Sequence, residues 1–228
     1  MSTNFLANLT AVATAAAAVV SLTAPAQAFS FGVDGISFKE NTTIKFDYLE
    51  SHGGAKSSLG IYEVTGSSVS LAKTLFSEKD AADPGFGSDE KAWLGTAKNL
   101  TGAATATYEF LAGKIYTLGL VGDFWGQTLP TIYSTSSLNW SGLQQVVFGS
   151  AGSSIEKQRF TGINSFQSGD PFASPVTIAF EDLYGGDYDY NDFVFQAQAV
   201  PEPLTMGGLA LGIGGMVAAR RRRSRNLA

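Results

Sequence analysis

The most regular stretch of the chain reads Thr43-Ile44-Lys45-Phe46-Asp47-Tyr48-Leu49. Apolar and polar side chains alternate along it, as they do in a strand with one buried and one solvated face. Further strand-like segments lie at residues 59–64, 69–71, 105–111, 114–121, 144–148, 174–180 and 193–199. Glycine and serine separate them, and no amphipathic helix of useful length occurs between residues 29 and 200. We therefore expect an all-β domain, a jelly-roll-like antiparallel β-sandwich, with a closed barrel as the alternative.

Turn chemistry predicts how some of these segments are joined. The sequence Thr65-Gly66-Ser67-Ser68 is a plausible hairpin turn, and Ala112-Gly113 is a second hairpin candidate. Residues 78–88 and 149–158 are rich in turn formers and are expected to form loops.

The N-terminal residues have the pattern of an export signal. Residues 9–22 form an apolar run rich in alanine and valine, although residues 1–8 contain no Lys or Arg. Ala26 and Ala28 give the small-x-small pattern that signal peptidase reads. We expect residues 1–28 to be a signal peptide with an apolar helix, and Phe29 to begin the mature protein.

The C-terminal residues contain three elements in a fixed order. Pro201, Glu202 and Pro203 form a motif that ends any preceding strand, since proline has no backbone N–H. Residues 204–219 are uncharged and apolar or small, which suits a hydrophobic helix in lipid. A basic cluster follows, which would stay on the cytoplasmic side of a membrane; it consists of Arg220, Arg221, Arg222, Arg223 and Arg225.

This order closely resembles the PEP-CTERM sorting signal of Gram-negative bacteria. The resemblance implies that residues 200–228 anchor the chain transiently in the inner membrane. It also implies that an exosortase, a membrane protease, cleaves near the Pro-Glu-Pro motif, followed by delivery to the cell surface or extracellular matrix. The alternative is a permanent membrane anchor, but sixteen residues are short against the roughly 20 of a spanning helix.

Charge and cysteine content exclude several classes of function. Residues 29–200 carry ten Lys or Arg and nineteen Asp or Glu, a net charge of −9. Such an acidic domain disfavours nucleic acid and anionic lipid as partners and is compatible with binding hard cations. The chain has no cysteine, which excludes disulfides, thiol catalysis and cysteine-ligated zinc.

The segment between the last two strands is strongly acidic. Two glycines, Gly185 and Gly186, allow a sharp turn within it. Close packing of carboxylates is unfavourable unless a cation neutralises them, and calcium takes six to eight oxygen ligands. The alternative is a solvated turn held by local hydrogen bonds. The candidate calcium ligands are Glu181, Asp182, Asp187, Asp189, Asn191 and Asp192.

The same segment resembles a family of bacterial surface domains of unassigned function. The family pattern is a Phe-Glu-Asp-hydrophobic segment, an acidic Gly-Gly turn and a hydrophobic strand. It maps onto Phe180, Glu181, Asp182, Leu183, Gly185, Gly186, Asp187, Asp189, Tyr190, Asn191, Asp192 and residues 193–195. The resemblance implies a domain over about residues 100–198 and supports calcium, because family members often occur beside calcium-binding repeats. It implies no activity.

Two other functions are alternatives. Trp93, Trp125 and Trp140 could stack on sugar rings in a glycan-binding module, although tryptophans in β domains often serve core or hairpin packing.

A polysaccharide-cleaving enzyme could use Asp187, Asp189 and Asp192 as acid and base. His52 is the only histidine and no nucleophile motif accompanies it, so catalysis is the weaker interpretation.

Together these patterns predict an exported, non-catalytic protein of the cell surface or extracellular matrix. Its domain is expected over residues 29–199 and its sorting tail over residues 200–228. The expected partners are signal peptidase and an exosortase-type protease, with exopolysaccharide as a further candidate and no nucleic acid.

Overall fold

The computed structural model describes residues 29–82, 94–150, 166–184 and 190–201. Strands dominate these residues, and their only helices are the single 3-10 turns Ala97–Asn99, Ser136–Leu138 and Trp140–Gly142. Within these ranges no helix has the length and apolar character needed to span a membrane. The predicted signal peptide and sorting tail, with their two expected helices, lie outside the described residues, apart from Val200 and Pro201.

The strands form two antiparallel sheets. The strands are β1 Phe29–Gly32, β2 Gly35–Phe38, β3 Thr42–Glu50, β4 Lys56–Thr65, β5 Ser68–Ser77, β6 Thr105–Phe110, β7 Ile115–Phe124, β8 Gln127–Thr128, β9 Ile132–Tyr133, β10 Val146–Ser150, β11 Val176–Phe180 and β12 Phe193–Ala199. One sheet is seven-stranded, with the order β1-β2-β7-β4-β5 and with β8 and β9 also paired to β7. The other sheet is five-stranded, with the order β10-β11-β12-β3-β6. The all-β, antiparallel prediction is confirmed.

Strand β3 shows how the alternating pattern produces the fold. Ile44 and Phe46 are completely buried and Tyr48 is nearly so, whereas Lys45 and Asp47 between them are partly exposed and form an ion pair at 2.8 Å. One face of the strand therefore supplies the core and the other faces water, as its sequence predicts.

Aromatic rings join the two sheets into one β-sandwich-like core. Phe31 of β1 meets Phe148 of β10 with ring centroids 5.7 Å apart. Phe110 of β6 lies 5.4 Å from Phe38 of β2 and 5.1 Å from Tyr116 of β7. Because each contact pairs a ring of one sheet with a ring of the other, the two sheets pack face to face.

One of the two predicted hairpins is wrong. Strands β4 and β5 form a hairpin through Gly66, as expected, but β5 extends well beyond residues 69–71. Strands β6 and β7, which flank Ala112-Gly113, do not pair with each other: β6 pairs with β3 in one sheet and β7 pairs with β4 in the other. Gly113 does turn the chain, with φ at 72°, but the turn crosses between sheets.

Candidate functional site

The acidic turn, residues 181–192, connects β11 to β12 in the five-stranded sheet. The two strands pair up to Phe180 and Phe193, so the turn begins and ends at neighbouring points of the sheet. Residues 181–184 and 190–192 are described. The predicted ligands Asp187 and Asp189, and the two glycines before them, lie outside the described residues.

The first two carboxylates of the turn are buried. Glu181 is 0% exposed and Asp182 is 6% exposed. The Tyr190 amide donates to Glu181 Oε1 at 2.6 Å, and the Asp182 amide donates to Asp192 Oδ2 at 2.8 Å. These two bonds join the start of the turn to its end. The picture of a wholly solvated turn is therefore wrong for Glu181 and Asp182.

The loop between β3 and β4 packs against the acidic turn. The Ala55 amide donates to Asp182 Oδ2 at 2.8 Å. The amides of His52 and Gly53 donate to the carbonyl oxygens of Asn191 and Asp192 at 3.1 and 3.2 Å. A Cβ atom on Gly53 would lie only 2.6 Å from Asp182 Oδ2, so the turn can approach this closely only because residue 53 is glycine.

A further buried carboxylate, Glu78, was missed by the sequence analysis, which placed it at the start of a loop. Glu78 is 1% exposed and forms an isolated bridge with Leu100. Its carboxylate accepts hydrogen bonds from Ser51 Oγ, from the Ser57 amide at 2.8 Å and from Asn99 Nδ2 at 3.2 Å. A charged residue two positions after the apolar pair Leu75-Phe76 was the only sequence signal, and it is a weak one.

The pKa of Glu78 reflects this environment. Burial raises the pKa to about 7, while the three hydrogen bonds lower it and the negative charge of Asp182 adds to the increase. Tyr48 donates to Ser51 Oγ at 2.9 Å, and burial raises the pKa of Tyr48 to about 12. Glu78 and the acidic turn therefore belong to one electrostatic neighbourhood.

The other sequence candidates lie at the surface. The His52 side chain is 54% exposed, with Nε2 3.5 Å from Glu50 Oε2. Trp125 and Trp140 are 78% and 70% exposed, so neither is a core residue, and Trp93 lies outside the described residues. Pro201 is exposed two residues after the end of β12, and Glu202 and Pro203 lie outside the described residues.

The described carboxylates of the turn act as anchors. Those of Glu181, Asp182 and Asp192 each accept a hydrogen bond from a backbone amide, which fixes both ends of the turn. Within the described ranges, no group of three or more His, Asp or Glu side chains is arranged to hold a metal ion. Two of the six predicted calcium ligands are not described, so the predicted set as a whole stays a prediction.

Residues 110–200 match the model of a protein family described as a domain of unknown function, DUF4114. The match covers β7 to β12 and the whole acidic turn, and it begins later than the expected residue 100. No curated protein and no solved structure matches the chain. The matched span is not a complete fold here, because β12 pairs with β3 and β7 pairs with β4, and both partners precede it.

Proposed function

We propose that this chain is an exported, non-catalytic protein of the cell surface or extracellular matrix, and that calcium binds its acidic turn. In this proposal the fold is a jelly-roll-like β-sandwich, signal peptidase removes residues 1–28, and an exosortase-type protease processes the tail at Pro201-Glu202-Pro203. The observation that supports the calcium site best is that carboxylates anchor both ends of the turn, those of Glu181 and Asp182 being buried and that of Asp192 partly buried.

Anchored ends favour a cation site because the flanks of the turn are already fixed. A bound cation would then have to restrict only the conformational freedom of the residues between them. Tyr184 and Tyr190 are held by hydrogen bonds of their own: the Tyr184 hydroxyl donates to Asn139 Oδ1 at 3.1 Å, and the Tyr190 hydroxyl donates to the Gln144 carbonyl at 3.1 Å. The segment between them contains Asp187 and Asp189. Preorganised flanks lower the entropic cost of bringing such ligands together.

The chemistry of the oxygen donors also fits calcium. The turn supplies carboxylates, one amide side chain and backbone carbonyls, which are the ligands of a hard cation with flexible geometry. Burial, with a contribution from the charge of Asp182, raises the pKa of Glu78, so these two carboxylates are close enough to repel each other when both are ionised. A divalent cation would offset this repulsion.

A calcium-dependent melting experiment on the full chain tests this proposal. At a hundredfold excess over its dissociation constant, calcium would stabilise the fold by about 2.7 kcal/mol. Chelation should therefore lower the melting temperature by several degrees, and magnesium should substitute poorly because it demands a tighter octahedral shell. Asp189→Asn should remove most of the calcium effect. Asp34→Asn, at an exposed turn between β1 and β2, is the matched control and should leave it intact.

Identical melting curves in calcium and in chelator, at matched ionic strength, would show that the turn is held by hydrogen bonds alone.

Export and sorting need a separate test by mass spectrometry of the protein recovered outside the cell. We expect a mature N-terminus at Phe29 and no peptide containing Arg220–Arg225, whereas Glu202→Ala should leave an unprocessed, membrane-retained species. An intact basic C-terminus on the wild-type extracellular protein would contradict sorting.

A glycan-binding module is the second candidate function. It is favoured by exposed aromatic side chains, among them Trp140, which is 70% exposed in a turn beside the acidic segment.

A further inference from the structure

The outer face of the seven-stranded sheet carries a group of aromatic side chains. Tyr62 of β4 and Tyr133 of β9 meet edge to face, with ring centroids 5.6 Å apart. Both are only partly buried. Their strand neighbours Ile61 and Ile132 are in the core, so the alternation of β strands places the two tyrosines on the opposite, outward face.

Two glycines make room for the Tyr62 ring. Gly60 of β4 pairs directly with Gly119 of β7, and Gly119 also pairs with Tyr133. A Cβ atom on Gly119 would lie 2.5 Å from Cε2 of Tyr62, and one on Gly60 would lie 3.2 Å from the same atom. The ring therefore lies against the sheet backbone where any other residue would push it away.

The group continues towards the acidic turn. The side-chain amide of Asn139 donates to the Tyr133 carbonyl at 2.8 Å, while its Oδ1 atom accepts from the Tyr184 hydroxyl at 3.1 Å. The exposed Trp140 follows Asn139 directly. Burial raises the pKa values of Tyr62 and Tyr184, and Tyr133 adds to both shifts, so Tyr133 lies near each of them. Tyr184 is partly buried and also packs against the hydrophobic core. We call Tyr62, Tyr133, Tyr184 and Trp140 the aromatic row.

The opposite surface of the molecule has a buried apolar cluster at one side, formed by Val147, Ala179, Tyr190 and Val194, and a polar region beside it. On the outward face of the five-stranded sheet, neighbouring positions of β3, β6 and β12 carry Lys45, Asp47, Thr107 and Gln196. A solvated sheet face is normally polar in this way. The aromatic row departs from that rule, and partly exposed aromatic surface marks binding sites.

Charge indicates which class of partner fits. The outward positions of β4 and β7 beside the tyrosines are occupied by small uncharged residues, which are Ser58, Gly60, Thr117, Gly119 and Val121. Residues 29–200 carry a net charge of −9, which repels anionic polymers and anionic membranes. A neutral sugar ring has an apolar C–H face for an aromatic ring and hydroxyl groups for the tyrosine O–H.

We propose that the aromatic row binds a neutral polysaccharide chain. The biological relevance of this binding rests on the proposed function, since the protein would meet such polysaccharides outside the cell. The binding test requires neither calcium nor sorting. Polysaccharide binding and the proposed calcium-binding, exported surface protein can therefore fail independently of each other.

Affinity gel electrophoresis of the full chain in detergent provides the test. Native gels containing dextran, barley β-glucan or xyloglucan serve as neutral probes, and gels containing alginate serve as the anionic control. We expect at least one neutral polysaccharide to retard the protein and alginate to have no such effect. Unchanged mobility in all three neutral gels would overturn the proposal, and so would retardation by alginate alone.

Variants locate the binding surface. Trp140→Ala should weaken binding by about tenfold, since tryptophan is enriched among the interface residues whose truncation costs more than 1 kcal/mol. Trp140 is 70% exposed, so this variant should fold. Tyr133→Phe keeps the ring and removes only the hydroxyl, and we expect a smaller loss.

Trp125→Ala is the matched control. Trp125 is equally exposed but lies at the tip of the β7–β8 hairpin, several residues along β7 from Gly119. It should bind like the wild type. Full binding by Trp140→Ala, or loss of binding in Trp125→Ala alone, would place the site elsewhere and refute the aromatic row.

Discussion

Replacing Gly53 with alanine tests the contact that anchors the acidic turn. The new Cβ atom would lie 2.6 Å from Asp182 Oδ2 and 3.2 Å from both Cβ and the carbonyl oxygen of Asp192. Ordinary van der Waals contact then requires the Asp182 carboxylate to move by about 1 Å. That movement lengthens or breaks its 2.8 Å hydrogen bond from the Ala55 amide. Loss of a hydrogen bond to a buried charged group costs about 1.5–3 kcal/mol.

The assay is thermal or urea unfolding of the full chain. For a domain of this size, 1 kcal/mol corresponds to about 2–4 °C, so we expect Gly53→Ala to lower the melting temperature by roughly 3–12 °C. Gly102→Ala is the matched control, because no atom lies within 4 Å of its added Cβ. The control should be neutral or stabilised by up to about 1 kcal/mol. Equal stability of the two variants would refute the anchoring role of Asp182.

Burial raises the pKa of Glu78 from 4.5 to about 7, so its contribution to stability is fully present below pH 4.5 and is lost as the pH rises through 7. The wild type should lose roughly 3 kcal/mol between pH 4 and pH 8 from this group, and urea titrations should show a flatter profile for Glu78→Gln. Gly119→Ala, which places Cβ 2.5 Å from the Tyr62 ring, should destabilise the fold by about 1–3 kcal/mol in the same assay. Trp125 has φ at 52° in the two-residue turn between β7 and β8; Trp125→Asn should therefore raise the melting temperature, and a lower value would contradict the turn assignment.

Strands could be predicted from the sequence where one face of the strand is buried and the other is exposed to solvent, because apolar and polar residues then alternate. Ile44, Phe46 and Tyr48 alternate with polar residues because β3 contributes a single face to the core. Short strands such as β8 and β9 have only two residues each, which is too few for a period of two to be recognised. Both strands form by pairing with β7, which is already part of the sheet. The sequence of residues 127–133 alone does not indicate that β7 is available as a partner.

Turn residues indicate that a chain bends but not where it goes next. Gly113 was correctly identified as a turn residue. Its conformation is local, whereas the choice between returning along β6 and crossing to the other sheet depends on which strand pairs with β7. That strand is β4, about fifty residues earlier in the chain.

The acidic turn shows the same limit for a functional site. Its composition identified the right segment, since Glu181 and Asp182 do lie in a constrained, charge-dense turn. Their burial was not foreseeable, because the partner of Asp182 is the amide of Ala55, 127 residues away. Gly53, which permits that contact, looks in the sequence like any loop glycine.

Three of the six predicted ligands have a described structural role, because Glu181, Asp182 and Asp192 each accept a hydrogen bond from a backbone amide. Glu181 and Asp182 are buried and accept hydrogen bonds from backbone amides, so substituting them would disturb the fold whether or not a cation binds. Loss of calcium response in a Glu181 or Asp182 variant would thus be ambiguous. Asp189 lies outside the described residues, between the two anchored flanks in the sequence, and its substitution leaves the described carboxylates of the turn in place. Compared with the substitution of Asp34, it is therefore the variant that separates a cation site from a hydrogen-bonded turn.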